Sequence, residues 1–216
     1  HLLGRTLDLS GGNLQWQVTR YNLVPGLLAV ILTMTMVMMT SLAVTRERER
    51  GTMENLIAMP VKPVQVMVGK IFPYILIGAV QVTMIVLAGY FIFDVPFFGS
   101  VLLFAAATLL YIVIDLAIGF AISTIAKNLL QAMQMSIFFY LPTIMISGFA
   151  FPFIGMPTWA QFLGELLPAT HYLRIVRSVM LKGATAAQLS NELAALGLTL
   201  VVVTIIAISR YRVTLD

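Results

Sequence analysis

Apolar residues run along this chain in five long blocks, separated by short polar stretches or by stretches bearing Gly and Pro. A hydrocarbon core roughly 30 Å thick takes about 20 residues of helix to cross. The blocks at about 23–44, 71–93, 101–126, 129–149 and 193–209 are of that order, the last being the shortest. Pro25 and Pro73 fall near the starts of the first two blocks, where a missing N–H costs little, and Pro142 interrupts the fourth. The pattern predicts an all-α integral membrane protein.

The pattern changes between the fourth and fifth blocks, at about 150–190. In FPFIGMPTWAQFLGELLPATHYLRIVRSVMLKG, Pro152, Pro157 and Pro168 cut the chain into pieces of roughly ten residues, the length of re-entrant or interfacial helices. Trp159, His171 and Tyr172 suit a membrane interface, where amphipathic rings settle. The expectation is a helical hairpin dipping into the outer leaflet, followed by an amphipathic helix at about 171–181.

Composition agrees with a membrane chain. Of its 216 residues 60% are hydrophobic and 10% charged, against roughly 25% charged in soluble domains. The net charge is only +4, so the placement of the bases matters more than their sum. Arg46, Arg48, Arg50, Lys62 and Lys70 lie in the 45–70 loop, Lys127 follows the third block, and Arg210 and Arg212 lie in the tail. Arg5, Arg20, Arg174, Arg177 and Lys182 fall on the other side, and the 94–100 turn has no base. The positive-inside rule then places the 45–70 loop, Lys127 and the C-terminus in the cytoplasm and the N-terminus outside. Residues 1–20 lack the pattern of a secretory signal and read as the end of an extramembrane region. An outside N-terminus without a signal implies an earlier span.

Candidate chemistry is sparse. The chain has no Cys, no GxxxxGK[ST] phosphate loop, no HExxH and no GxSxG, so neither nucleotide hydrolysis nor metal catalysis nor a serine nucleophile is indicated. No metal or other cofactor is expected on it. Asp115 is the one acid deep in a block, a position that marks either function or a structural partner such as Tyr111, Ser123 or Gln81. Met38, in the Met-rich run 34–40, and Phe139 could line an adaptable apolar pathway or simply pack.

The loop RERERGTMENLIAMP, residues 46–60, stands apart. Met53, Leu56, Ile57 and Pro60 share one helical face, Thr52 can cap the helix after Gly51, and Pro60 with Pro63 ends it. A short helix at about 52–59 is predicted on the cytoplasmic surface. A lipid anchor would present Lys and Arg on its polar face. This one presents Glu54 and Asn55, preceded by Glu47 and Glu49, which favours a protein partner.

The stretch VTRERERGTMENLIAMPVKPVQVMVGKIFPYILIG resembles the segment most characteristic of ABC-2 type transporter permeases, the membrane subunits of ATP-driven exporters. ISGFAFPFIGMPTWAQFLGELLPATHYLRIVRSVMLKG resembles that family's re-entrant outer hairpin, with Gly148, Pro152, Pro157 and Pro168 at its breaks. The resemblance covers the chain from Tyr21 onward. It implies a six-span permease of type V exporter kind, with spans two to six in residues 21–216 and the end of a periplasmic region in residues 1–20. It also implies pairing with a second permease, as homodimer or heterodimer, and docking of a cytoplasmic ATPase that holds the ATP and Mg. The residues implied for that contact are Glu47, Glu49, Gly51, Thr52, Glu54, Asn55 and Leu56. The branch resembled exports drugs or lipophilic compounds across the bacterial inner membrane, often beside a periplasmic membrane-fusion adaptor. Nucleic acid is not an expected partner. A proton- or ion-coupled carrier using Asp115, and a non-transporting scaffold, remain open alternatives.

Overall fold

The computed structural model describes residues 11–50, 63–151 and 153–213 of the chain. Among these residues all regular structure is helical: α1 Gly11–Glu49, α2 Pro63–Phe93, α3 Val101–Ile125, α4 Leu129–Ile146, a 3₁₀ turn Phe153–Gly155, α5 Thr158–Glu165, α6 Pro168–Lys182 and α7 Ser190–Val213. Five helices are long and apolar enough to cross a membrane: Leu23–Glu49 of α1, Phe72–Phe93 of α2, α3, α4 and Ser190–Ala207 of α7. The expected coupling helix, with Gly51, Thr52, Glu54, Asn55 and Leu56, lies outside the described residues, as does Pro152.

Local chemistry sets several of the boundaries. The Ser100 hydroxyl caps α3 by accepting from the Leu103 N–H at 3.4 Å, and the Asn128 carbonyl oxygen caps α4 by accepting from Gln131 at 2.8 Å. Pro168 opens α6, where its missing N–H is harmless, and Gly183 closes it with φ +63°, a left-handed conformation that suits glycine.

The helix ends differ from the hydropathy pattern in several places. Pro25 and Pro73 lie well inside α1 and α2, and α4 continues through Pro142 instead of breaking there. One lost N–H bond does not end a helix that its neighbours hold on both sides. The third span stops at Ile125, because the Ala126 backbone is extended, and the fourth stops at Ile146, because Gly148 turns the chain with φ +86°. The last helix starts at Ser190 rather than 193, and the amphipathic helix starts at Pro168 rather than 171.

The bundle is built around α3, which packs against α1 and α7 most extensively and also against α2, α4 and α6. Its buried positions include the runs Ile114–Leu116 and Ile118–Phe120, so α3 is covered on more than one face, as expected of a helix at the centre of a bundle. Thr33 of α1 bonds Tyr111 of α3, and Arg48 of α1 bonds the Ala126 carbonyl, both pairs being 78 positions apart in sequence. The two helices therefore run in the same direction in constant register for about 22 Å. Gly119 permits this contact: a Cβ there would stand 2.6 Å from the Val37 carbonyl oxygen and 2.9 Å from the Thr40 Cβ. Helices in lipid associate through such small-residue contacts, since tails offer no hydrophobic drive between them. The helices α2 and α4 lie at the periphery, and Phe72, Leu76, Val80, Met84, Leu87 and Phe91 form an exposed stripe along α2.

One end of the bundle gathers the α2–α3 turn, the end of α4, α5 and α6. There the Phe98 N–H donates to the Met180 carbonyl at 3.0 Å, and the Arg177 guanidinium donates to the Gly148 carbonyl at 3.2 Å. The helix α6 runs antiparallel to α3, with Tyr172 beside Thr108 and Tyr111 and Met180 beside Phe98. This corrects the expectation of interfacial rings for His171 and Tyr172, while Trp159 stays exposed. Tyr172 is 0% exposed, stacked on Tyr111 with centroids 4.1 Å apart, and His171 is buried as well. Covering α3 removes more apolar surface than an interface position would.

Candidate coupling end and intramembrane polar cluster

At the other end of the bundle, α1 runs into the charged stretch Arg46–Arg50, and two of its residues grip the α3–α4 turn. The Arg48 guanidinium donates to the Ala126 carbonyl, the first residue past α3. Glu49 Oε1 accepts from the Leu129 N–H at 2.7 Å, placing a carboxylate on the positive N-terminus of α4. Lys127 and Asn128 complete the turn: the Lys127 N–H donates to Gln131 Oε1 at 2.7 Å. Glu47 lies within electrostatic reach of Tyr74 on α2. Of the seven expected coupling residues, Glu47 and Glu49 are therefore placed at the same end of α1, and Glu49 is bonded to α4.

Further along, α1 is bonded to three spans. Thr33 meets Tyr111 of α3, the Thr35 hydroxyl donates to Gln81 Oε1 of α2 at 2.9 Å, and Ser41 shares a hydrogen bond with Ser136 of α4 at 2.7 Å. Each such bond is worth on the order of 1 kcal/mol within a membrane. Their value lies in direction, because α1 cannot shift without pulling on α2, α3 and α4.

Asp115 is completely buried on α3, one turn beyond Tyr111. It does not pair with the candidates Ser123 and Gln81, since the Ser123 hydroxyl donates to its own helix at Phe120 and Gln81 is taken by Thr35. The groups that act on it are the hydroxyls of Thr33 and Tyr111. Met38 and Phe139 are half-buried, and Phe139 packs on the core; neither is brought into this cluster by a recorded bond. A separate apolar groove of about 510 Å³ lies between α2 and α3, with Ile75, Val82, Val86, Phe97, Phe104 and Ile112 in its walls.

The end of the bundle that carries α5 and α6 holds a charged network that hydropathy gave no reason to assemble. Arg174 of α6 pairs with both Glu165 oxygens at 2.5 and 3.0 Å and reaches Glu192 of α7 at 3.4 Å. His171 places Nδ1 against the Glu192 carboxylate and Nε2 2.9 Å from the Glu165 carbonyl oxygen. The guanidinium also lies over the Phe153 ring, 4.8 Å from its centre. The network joins the 3₁₀ turn, α5, α6 and α7. Its only signal in the sequence is scarcity, five charges in a stretch where most residues are apolar. Gly148 and Pro157 stand at the breaks expected of them, Pro157 preceding α5.

The Arg174 hydrogen bond, with smaller help from its charge, holds the Glu165 carboxyl below the usual range, and Glu165 and Glu192 raise Arg174 in turn. A depressed carboxyl stabilises the fold above its unfolded pKa, and that contribution is lost as pH falls through the folded value. Between about pH 5 and pH 3 the wild-type melting temperature should fall, and Glu165→Gln should fall less. The side chain of Glu165 is 44% exposed, so solvent limits the difference to about 1 kcal/mol or less. Parallel melting curves for the two proteins across that range would dismiss the clamp.

The family description "ABC-2 type transporter" matches residues 6–181, most of the chain. The chain belongs to the ABC-2 type transporter family. It is 32% identical over 174 residues to the "Probable multidrug ABC transporter permease YbhR" of Escherichia coli K12, covering 81% of this chain and 47% of that protein. It is likewise 32% identical over 167 residues to the "Probable multidrug ABC transporter permease YbhS", covering 77% and 44% respectively. A 29% match over 161 residues joins it to the "ABC transporter G family member 20" of Dictyostelium discoideum, covering 74% of this chain and 22% of that protein. The chain thus spans less than half the length of these relatives. Family and helices together make it part of a multi-pass ABC transporter membrane subunit.

Proposed function

We propose that this ABC-2 chain is the transmembrane part of an ATP-driven exporter that moves a drug-like, lipidic or other amphipathic substrate out of the bacterial cytoplasm or inner leaflet. Its five spans serve as spans two to six of a six-span permease in the inner membrane, with the N-terminal end periplasmic and the C-terminal end cytoplasmic. Two permeases pair, as homodimer or heterodimer, and a periplasmic membrane-fusion adaptor serves the outer side. The chain performs no hydrolysis; separate ATPase subunits hold ATP and Mg. They dock on a coupling helix at about 52–59 through Glu47, Glu49, Gly51, Thr52, Glu54, Asn55 and Leu56.

The observation that carries this reading is the anchoring of α1. The helix leading into the coupling segment caps α4 through Glu49, grips the α3–α4 turn through Arg48, and is hydrogen-bonded to three spans. A push delivered just past its end is thereby shared by the bundle, as ATP-driven reorientation requires. The two E. coli relatives named as multidrug permeases support the substrate class, and the apolar α2–α3 groove is compatible with a lipophilic cargo.

Co-expression with the ATPase tests the docking surface. Glu47→Lys and Glu54→Lys should cut ATPase co-purification at least tenfold while the permease elutes and melts as wild type. Wild-type retention of the ATPase by both variants would sink the coupling assignment. Efflux that persists with an ATPase unable to hydrolyse ATP would sink the exporter reading itself.

A further inference from the structure

The apolar cores of the five spans contain one charged residue and no base. Residues 23–45, 72–93, 101–125, 129–146 and 193–207 include no Lys, Arg or His, and Asp115 is their only acid. Asp115 is 0% exposed, and neither of its carboxyl oxygens has a hydrogen-bond partner among the described residues. An ionised carboxylate buried in this way, without a counter-charge, carries a desolvation cost of several kcal/mol.

Counting hydrogens around it narrows what can compensate. Thr33 spends its single hydroxyl hydrogen on the Ala29 carbonyl, 2.9 Å away. The bond between Thr33 and Tyr111 is then made by the Tyr111 hydrogen; in the reverse arrangement Tyr111 donates to the Ala29 carbonyl at 3.4 Å and Thr33 to Tyr111, which again uses both hydrogens. Both hydroxyls are left with lone pairs alone to turn toward Asp115. An ionised carboxylate is also acceptor-only, so lone pair would face lone pair. The remaining titratable group facing Asp115 is Tyr172 of α6, whose hydroxyl is engaged with Thr108 at 3.0 Å. The spans of α1, α2, α4 and α7 present it with no charged side chain.

We propose that Asp115 is a proton-binding site, held as the neutral carboxylic acid beside the hydroxyl oxygens of Tyr111 and Thr33. A proton suits the place better than a metal cation. The α1–α3 seam is closed one turn further on, where Gly119 meets the Val37 carbonyl, and a hydrated ion has no such latitude. Among the described residues no group of three or more acidic, His or Cys side chains could share a metal. The proton is released when α1 and α3 part and water reaches the carboxyl, so opening of the seam carries proton release with it. The site does not depend on the exporter reading.

Infrared difference spectroscopy on the full-length permease complex in lipid nanodiscs tests this. At neutral pH the wild type should show the carbonyl stretch of a protonated acid. That band should move on isotope labelling of aspartate, persist in Asp94→Asn, at an exposed loop position, and vanish in Asp115→Asn. In Tyr111→Phe it should shift to higher frequency as a polar neighbour is lost. The labelling and the Asp94 control identify the band even if Asp115→Asn fails to fold. Absence of the protonated-acid band at neutral pH, or a carboxylate band that Asp115→Asn removes, with or without a sodium- or potassium-dependent change, overturns the proposal. An unmoved band in Tyr111→Phe overturns the role of Tyr111.

Discussion

Gly119→Val separates α1 from α3. The wild-type Cα is so close to α1 that even an alanine methyl would stand 2.6 Å from the Val37 carbonyl oxygen and 2.9 Å from the Thr40 Cβ. Neither atom is the free end of a flexible side chain; one belongs to helical backbone, and the other is a branched carbon next to it. The cost of overpacking is about 1–3 kcal/mol for one extra group, which is the expectation for Gly119→Ala. Valine adds two methyls on a rigid branch and should exceed that range. The loss should appear as a lower midpoint of unfolding in detergent. Because α1 leads to the proposed coupling segment, ATPase-linked turnover should fall with it. A Gly119→Val protein with wild-type midpoint would show that the register between α1 and α3 is looser than the 78-residue pairing of Thr33 with Tyr111 and Arg48 with Ala126.

Tyr172→Ala is the second large loss. Its ring is fully buried, lies 6° from parallel to Tyr111, and carries a hydroxyl bonded to Thr108. Truncating a buried aromatic costs about 3–5 kcal/mol through lost transfer energy and the cavity left behind. Tyr172→Phe keeps the stack and loses only the hydroxyl contact, worth about 1 kcal/mol. The two variants divide packing from hydrogen bonding, and equal midpoints for Phe and Ala would contradict the division. An interfacial tyrosine would behave otherwise, since both changes would then lie within about 0.5 kcal/mol of wild type.

How much of this was legible beforehand depends on the kind of interaction involved. The five long helices and the broken segment between the fourth and fifth were legible because they arise from composition within a single helix: each block is apolar over the bilayer width, and Pro or Gly marks the breaks. Asp115 was legible for a similar reason, as the lone acid in the spans. Its surroundings were not. Whether Thr33, Ser123 or Gln81 faces it depends on how α1, α2 and α3 are rotated about their axes. That rotation is set by contacts such as Gly119 on Val37, far apart in the chain. Pro142 misled because a local rule about a missing N–H does not count the neighbours that hold the helix on either side.

The sequence by itself determined that this chain lies in a membrane and where its apolar helices fall. These follow from transfer free energies and helix periodicity, which act residue by residue. Only the tertiary structure decided that α3 is the centre, that α6 buries Tyr172 against it, and that Glu165, His171, Arg174 and Glu192 meet at one end. Only it could show that Glu49 caps α4 while α1 is bonded to three spans. Lipid does not distinguish one apolar face from another, so fit between faces and the need to pair each buried polar group decide which helices meet. Both depend on several helices at once.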